Sequence, residues 1–261
     1  MNRSILRLAI PNILSNIAVP LLGLADTALM GRMESEAYLG AIALGGILFS
    51  FIYWGLGFIR MGTTGLTAQA FGRQDPEEGI AVLARALLVG GTAGLILLLV
   101  QLPLGEFGFR LLEAEASGDN IELVKQLSRE YFYIRIWAAP ANIGLMALLG
   151  WFLGMQNARF PMILIIAINI FNILFNFFFI YEMGMKSDGV ALGTVLAQYL
   201  GLSLAIILFV ARYRDQLKHL KRSTILQISK IKQFFSVNAD IFIRTMLLVF
   251  SLAFVNAKSF A

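Results

Sequence analysis

Long stretches without a single charged side chain limit the folds that this chain can adopt. Six runs of 18 to 23 residues contain no Asp, Glu, Lys or Arg: 8–25, 37–59, 86–105, 136–158, 160–181 and 189–211. A hydrocarbon core about 30 Å thick is crossed by about 20 apolar residues in a helix that rises about 1.5 Å per residue. Each run is therefore long enough to be a membrane helix. Such runs also exclude a membrane β-barrel, because its strands alternate apolar and polar residues over a shorter length.

The composition agrees with a membrane protein and argues against an enzyme. Hydrophobic residues make up 58% of the chain and charged residues 14%, against about 25% charged in an average soluble domain. The chain has no cysteine, which excludes disulfides, thiolate metal sites and cysteine nucleophiles. The motifs H-E-x-x-H, G-x-S-x-G and G-x-x-x-x-G-K-[ST] are absent, and the single histidine is His219. We therefore expect no enzyme, no cofactor and no direct coupling to ATP, which leaves an ion gradient as the energy source for transport.

The apolar runs predict an all-α membrane protein with six helices, called spans 1 to 6 here, and a seventh that is less apolar. Extended over their apolar flanks, the six spans lie at 5–30, 38–71, 82–104, 128–155, 161–181 and 189–211. The acidic connection from 106 to about 126 is expected to form a short surface helix. Span 7, at 234–257, is interrupted by Asp240 and Arg244.

These spans divide the chain into three predicted parts. Residues 1–211 form an amino-terminal six-helix lobe, and 212–233 form a basic loop. Residues 234–261 carry helix 7, which we expect to open an incomplete carboxy-terminal lobe. Gly90 with Gly94, and Gly150 with Gly154, repeat at a four-residue spacing that lets membrane helices pack closely.

The positive charge of the chain is concentrated in one loop. The net charge is +5, and segment 212–232 alone holds seven basic residues and one acid, which is +6. Basic loops of membrane proteins face the cytoplasm, so we interpret this segment as cytoplasmic rather than as a lipid or nucleic-acid patch. With six spans before it, the amino terminus is then cytoplasmic too, and the acidic connection at 106–126 falls outside. No nucleic-acid partner is expected.

Asp26 is the carboxylate that interrupts the apolar interior of the first six spans. A charged side chain at the centre of a membrane helix costs about 2.5 to 3.5 kcal/mol on insertion scales, so it is expected to have a function. Burial favours its protonated form and a bound cation favours its charged form, so it can exchange H⁺ for Na⁺. The alternative is that Asp26 lies among the lipid headgroups and only ends a helix.

Uncharged oxygen and nitrogen donors recur in spans 5 and 6. Asn169, Asn172 and Asn176 share one face of span 5, and Thr194 and Gln198 are one turn apart in span 6. Such oxygens suit a weakly held cation whose countercharge comes from Asp26. The alternative is hydrogen bonding between helices, worth about 0.6 kcal/mol per contact.

Two prolines and two arginines inside the spans are further candidates. Pro11 and Pro20 each remove a backbone donor from span 1, which makes it either a hinge or a statically kinked helix. Arg60 and Arg135 are bases within spans 2 and 4. They could pair with acids, line a water-filled cavity or extend to the membrane surface.

At this point the order and spacing of several motifs resemble one transporter family over essentially the whole chain. The quoted segments are Ala9-Ile10-Pro11-Asn12, Asp26-Thr27 to Gly31, Gly62-Thr63-Thr64 to Ala68-Gln69, Phe71-Gly72-Arg73, Pro140 to Gly150, Gly154-Met155-Gln156-Asn157-Ala158-Arg159 and Asp188-Gly189-Val190-Ala191-Leu192-Gly193-Thr194. Together they resemble the multidrug and toxic compound extrusion (MATE) transporters, and within them the DinF-like branch.

The resemblance implies a fold and a set of site residues. Such transporters have two six-helix lobes and alternate access to a central cavity. This chain then corresponds to one lobe, the loop between lobes and helix 7. The family's cation ligands fall on Asp26, Asn172, Asn176 and Thr194, with Na⁺ expected at Asp26, Asn172 and Thr194. Asn176 departs from the pattern, since many relatives have a second acid there. With one carboxylate instead of two, simple protonation of Asp26 is supported at least as well as Na⁺ binding.

These inferences predict a cation-coupled antiporter that exports amphiphilic, cationic drugs across a bacterial inner membrane. H⁺ or Na⁺ would enter the Asp26 site from outside, and span 1 would change shape at Pro11 or Pro20. In some relatives, bending at the helix 1 proline that falls on Pro11 is linked to cation release. The competing hypotheses are a flippase for a lipid-linked saccharide, for which Arg60 and Arg135 are the available bases, and a membrane scaffold that transports nothing.

Overall fold

The computed structural model describes residue 13 and residues 36–113 and 121–259. Pro11, Pro20 and Asp26 lie outside these residues. The described part contains ten α-helices, numbered here in chain order: α1 Glu36–Leu56, α2 Phe58–Gly72, α3 Pro76–Leu99, α4 Gln101–Glu113, α5 Ile121–Arg135, α6 Ala139–Gly154, α7 Arg159–Phe177, α8 Ser187–Tyr213, α9 Arg222–Ile225 and α10 Ile228–Ser259.

Five segments of the described residues are long and apolar enough to cross a membrane: Ala37–Gly72, Pro76–Leu99, Ile121–Gly154, Arg159–Glu182 and Ser187–His219. They correspond to the predicted spans 2 to 6, while span 1 lies outside the described residues. α10 covers the predicted span 7 and carries Asp240 and Arg244, and it is not among the five. The prediction of an all-helical membrane protein is confirmed.

The prediction for span 2 is confirmed, with one interruption. α1 and α2 follow each other with Gly57 between them, and the apolar segment Ala37–Gly72 within them is 36 residues long.

α3 begins earlier than the predicted residue 82. The Asp75 carboxylate accepts a hydrogen bond from the Glu78 backbone N–H at 3.0 Å, and Pro76 takes the first helical position. An aspartate cap followed by proline is a strong helix start, because proline has no N–H to leave unsatisfied there. The predicted end near residue 104 was also wrong. α3 ends at Leu99, and Pro103 lies in the first turn of α4, where it is equally tolerated.

Span 4 begins at Ile121 rather than at residue 128, and it is not one regular helix. A 3₁₀ turn at Ile136–Ala138 separates α5 from α6. The Ile136 carbonyl accepts from the Ala139 N–H, because Pro140 offers no N–H with which to continue the α-helical pattern. The predicted surface helix at 106–126 corresponds to the end of α4, which reaches Glu113, and to the start of α5 at Ile121.

α6 is the central helix, and glycine lets its neighbours approach. A Cβ at Gly150 would lie 2.5 Å from the Arg60 carbonyl oxygen, and one at Gly154 would lie 2.5 Å from the Thr67 Cβ. On α3, a Cβ at Gly90 would meet Ile143 at 2.8 Å. The close packing expected at these glycines is confirmed: they place α2 and α3 directly against α6.

The predicted basic loop at 212–233 was wrong at both ends, because α8 continues to Tyr213 and α10 begins at Ile228 rather than at residue 234. The residues between these two helices, 214–227, pack against α3 and are called the linker. Arg85 and Glu78 form an ion pair of 3.0 Å whose side chains are only 4% and 9% exposed. The Arg85 guanidinium also donates to the carbonyls of Thr224 at 2.8 Å and Ile225 at 3.2 Å. These contacts of the buried Arg85 side chain therefore hold the linker against the first three turns of α3.

Further contacts join the linker and α10 to the same part of the molecule. Glu77 accepts hydrogen bonds from Lys221 and from the Thr224 hydroxyl. On α10, Asn238 is 2% exposed and packs against Gly62, where a Cβ would lie 2.0 Å from its carboxamide oxygen. The linker and the first turns of α10 therefore pack on α2 and α3.

Gly154→Ala is expected to destabilise the protein, because the new methyl group would also lie 2.8 Å from the Thr64 carbonyl oxygen. Overpacking of this kind costs about 1 to 3 kcal/mol. Gly65→Ala on α2 is the control, since nothing lies within 4 Å of its Cβ position. Equilibrium unfolding in mixed micelles measures both variants. Equal stability of the two would show that the α2–α6 contact is not close.

Arg85→Met is expected to lower the free energy of unfolding by about 3 to 5 kcal/mol, because it leaves the Glu78 carboxylate buried without its main partner. The control is Lys125→Met, which breaks the Lys125–Glu122 pair at 2.9 Å, where Glu122 is 84% exposed. An exposed pair contributes at most about 1 kcal/mol. The same unfolding assay compares the two variants. If Arg85→Met is no less stable than Lys125→Met, the buried Arg85–Glu78 pair does not hold the linker on α3.

Candidate functional site

Three of the predicted cation ligands form one chain of hydrogen bonds between α7 and α8. Asn176 Nδ2 donates to Asn172 Oδ1 at 3.0 Å, and Asn172 Nδ2 donates to Thr194 Oγ1 at 3.0 Å. The Thr194 hydroxyl donates to the Val190 carbonyl at 2.9 Å. We call Asn172, Asn176 and Thr194 the polar triad.

The two asparagines of the polar triad are buried, and Thr194 is half-buried, between two closely packed helices. Asn172 is 4% exposed and Asn176 is 1% exposed. Gly193 of α8 makes room for Asn176, because a Cβ there would lie 2.3 Å from its carboxamide oxygen. Spacing of four residues on α7 and a glycine beside the threonine on α8 are what bring these side chains together.

The structure divides the polar residues of spans 5 and 6 into two groups. Asn169, one turn before Asn172, and Gln198, one turn after Thr194, both line a cavity of about 710 Å³. This volume lies in the range of small-molecule sites, about 300 to 1,000 Å³. We call it the lobe cavity, and it lies between α2, α6, α7 and α8.

The lobe cavity has a mixed lining. Its polar side chains among the described residues are Arg60, Thr64, Asn142, Asn169 and Gln198. The rest of the described lining, apart from Gly57, consists of Leu, Ile and Met side chains. Predicted candidates Arg60 and Gln198 therefore do lie at a cavity.

Depth in the membrane can be measured along the helices from the side of the lobe on which the linker lies. The Asn157 carboxamide donates to the Tyr213 hydroxyl at 3.0 Å, which joins the α6–α7 turn to the end of α8, where the linker starts. The α2–α3 turn lies on the same side, because Glu77 beside it contacts Lys221 of the linker.

Three polar lining residues lie about half a membrane thickness from the linker-side ends of their helices. Arg60 precedes Gly72 by 12 residues, Asn142 precedes Gly154 by 12, and Asn169 follows Arg159 by 10. At about 1.5 Å per residue they are about 15 to 18 Å from the linker side, about half of a 30 Å core. Asn172 and Thr194 of the polar triad lie about one helical turn farther from the linker than Asn169 and Gln198, and Asn176 lies about two turns farther than Asn169.

Arg135 lies in another environment. Its guanidinium is 4.7 Å from the centre of the Phe49 ring and contacts the Tyr131 hydroxyl at 2.5 Å. The described lining of the lobe cavity does not include it. Aromatic faces attract a guanidinium, so Arg135 is held by α1 and α5.

Two polar lining residues, Thr64 and Asn142, were not predicted as site residues, although the sequence contains an indication of each. Thr64 follows Arg60 by four residues on the same face of α2, and its hydroxyl donates to the Arg60 carbonyl at 2.8 Å. Asn142 is a carboxamide within the apolar sequence of α6, as Asn169 is within α7. Among the described residues no cluster of His, Cys, Asp or Glu could hold a metal ion.

Comparison with known proteins gives one consistent family. A family model described as MatE matches residues 11–178. The DNA damage-inducible protein F of Escherichia coli (strain K12) is 36% identical over 253 residues, which cover 95% of this chain and 52% of that protein. A probable multidrug resistance protein NorM of Synechocystis sp. is 26% identical, with 87% of this chain and 50% of that protein covered. The chain thus spans about half the length of these curated relatives.

Solved structures share the fold. An outward-facing multidrug resistance MATE family transporter of the MOP superfamily matches with a TM-score of 0.80 at 21% identity. A MOP superfamily transporter from Pyrococcus furiosus matches with the same TM-score at 20% identity. Each match covers 97% of this chain and 55% of the other chain. The family and these structures are transporters, not enzymes, and the matched family model covers more than half of the chain. The chain therefore belongs to the MatE family of multidrug and toxic compound extrusion transporters, as a DinF-like member.

Proposed function

We propose that this chain is a lobe of a cation-coupled antiporter that exports amphiphilic organic compounds by alternating access. The observation that carries the proposal is the position of the lobe cavity next to the polar triad. Asn169 of the cavity and Asn172 of the triad are one turn apart on α7. A rearrangement of the triad on cation binding would therefore shift a cavity wall through a rigid helix.

Asp26 is proposed as the group that binds the coupling ion. The polar triad supplies neutral donors and acceptors but no charge, so a coupling site needs a carboxylate from elsewhere. Asp26 in span 1 is the acid that the sequence places inside the lobe. Pro11 and Pro20 in the same span are proposed as the hinge through which its change of charge alters the helix.

The hydrogen bonds of the triad are compatible with either H⁺ or Na⁺ as that ion. Asn172 Oδ1 and Thr194 Oγ1 each accept one hydrogen bond from within the triad. Each of these oxygens keeps a second lone pair with which it could coordinate Na⁺, and protonation of Asp26 needs no ligand from the triad. Separately imposed H⁺ and Na⁺ gradients decide between the two ions.

The complete transporter is proposed to contain a second lobe, since this chain spans about half of its curated relatives. We propose that the linker side faces the cytoplasm of a bacterium, as the positive charge of segment 212–232 indicates. The amino terminus would then be cytoplasmic as well.

The lining of the lobe cavity helps to choose between the proposed antiporter, a flippase and a scaffold that transports nothing. A flippase for a lipid-linked saccharide must hold a pyrophosphate, and of the two intramembrane bases only Arg60 is in the described lining. A scaffold without transport function has no need of a polar cavity inside the membrane. The family resemblance suggests cationic drugs, but a cavity with its own cation gives no support to that restriction.

The test is efflux of a fluorescent drug from vesicles containing the full-length transporter, with H⁺ and Na⁺ gradients imposed separately. Asp26→Asn is expected to abolish gradient-driven efflux, because an amide neither binds nor releases a proton. The control is Asp215→Asn, which changes an exposed acid of the linker paired with Lys218, and it should keep wild-type efflux.

Efflux driven by the H⁺ gradient alone supports proton coupling. Undiminished gradient-driven efflux by Asp26→Asn would exclude Asp26 as the coupling site.

A further inference from the structure

The described lining of the lobe cavity carries one charged side chain, Arg60, and its other polar groups are one hydroxyl and three carboxamides. Among the described residues no Asp or Glu lies within ion-pair distance of Arg60. The described lining therefore presents a positive charge to a ligand.

A guanidinium inside the membrane gains most from an anion. A charge in the membrane centre costs several kcal/mol unless it is paired or hydrated. Arginine binds carboxylate and phosphate oxygens through two parallel hydrogen bonds, and such charge-assisted bonds are about twice as strong as neutral ones. The carboxamides of Asn142 and Gln198 add N–H donors that an anionic oxygen can accept.

The other walls suit an apolar body. Met61 of α2 and Met146 and Leu149 of α6 line the cavity beside the polar groups. Methionine side chains adapt to different apolar shapes, as a site with several substrates requires.

We propose that the lobe cavity selects amphiphiles with one anionic group, a carboxylate, sulfonate or phosphodiester, and that Arg60 pairs with that group. The proposal rests on the proposed function in that it names the substrate class of the same cavity. It replaces the cationic drugs expected from the family resemblance. A single base matches a single anionic charge better than the two charges of a pyrophosphate.

The test is equilibrium binding to the full-length protein in nanodiscs of zwitterionic lipid, with empty nanodiscs subtracted. Two probes share a dansyl-labelled undecyl chain, and one ends in a carboxylate and the other in a trimethylammonium group. The carboxylate probe should bind at least about tenfold tighter, the effect of one good charge-assisted hydrogen bond. Binding needs no gradient, so failure of coupled transport and failure of this selectivity are separate results.

Variants assign the selectivity to Arg60. Arg60→Gln should reduce the preference for the carboxylate probe to less than about threefold, while Arg60→Lys should keep most of it. Arg135→Gln is the matched control, because it removes the same charge from a base that the described cavity lining does not include, and it should keep the preference. If Arg60→Gln does not fold, Asn142→Asp serves instead, and its added carboxylate should reverse the preference.

Three outcomes would overturn the proposal. They are equal binding of the two probes, an unchanged preference in Arg60→Gln or Asn142→Asp, and loss of the preference in Arg135→Gln. Nanodiscs that contain an anionic phospholipid identify the source of the anion. Competition by that lipid assigns the site to a lipid headgroup, and unchanged probe affinity assigns it to a free amphiphile; both support recognition of an anion.

Discussion

Polar groups inside a bilayer must find their partners within the protein, and this requirement arranges the interior of the lobe. Asn172, Asn176 and Thr194 satisfy it by bonding to one another between α7 and α8. Arg135 satisfies it with the Phe49 ring and the Tyr131 hydroxyl. Other polar residues, Arg60, Asn142 and Gln198 among them, line the lobe cavity. The need to partner or hydrate polar groups inside the membrane accounts for both arrangements.

Close packing around α6 gives these groups fixed positions. Gly150 and Gly154 bring α6 against the backbone of α2, and the buried Trp151 donates from its indole nitrogen to the Gly79 carbonyl on α3 at 2.8 Å. The linker is attached to the same α3 through Arg85 and Glu78. The cavity therefore lies in a framework that joins α2, α3 and α6 to the linker, as a lobe that moves as one body requires.

Local sequence signals predicted most of the helices and part of the site, while long-range contacts were out of reach. Charge-free runs located spans 2 to 6, and the spacing of Asn172 and Asn176 predicted their shared face. Arg60 and Arg135 look equivalent in sequence, and only the tertiary packing puts one at a cavity and the other on an aromatic ring. The contacts of Arg85 with Thr224 and Ile225 join residues about 140 positions apart in the sequence. No periodic pattern of apolar residues indicates such contacts.

If the lobe cavity is the transport path, water must reach its polar lining. The chain has no cysteine, so a single introduced thiol reports its own surroundings. The measurement is the reaction rate of Asn142→Cys and Ile170→Cys in permeabilised vesicles with a charged thiol reagent on both sides. Ile170 is 51% exposed on the apolar face of α7, and thiolates form only where water reaches them. We expect Asn142→Cys to react and Ile170→Cys to remain unmodified; an unreactive Asn142→Cys would contradict the account.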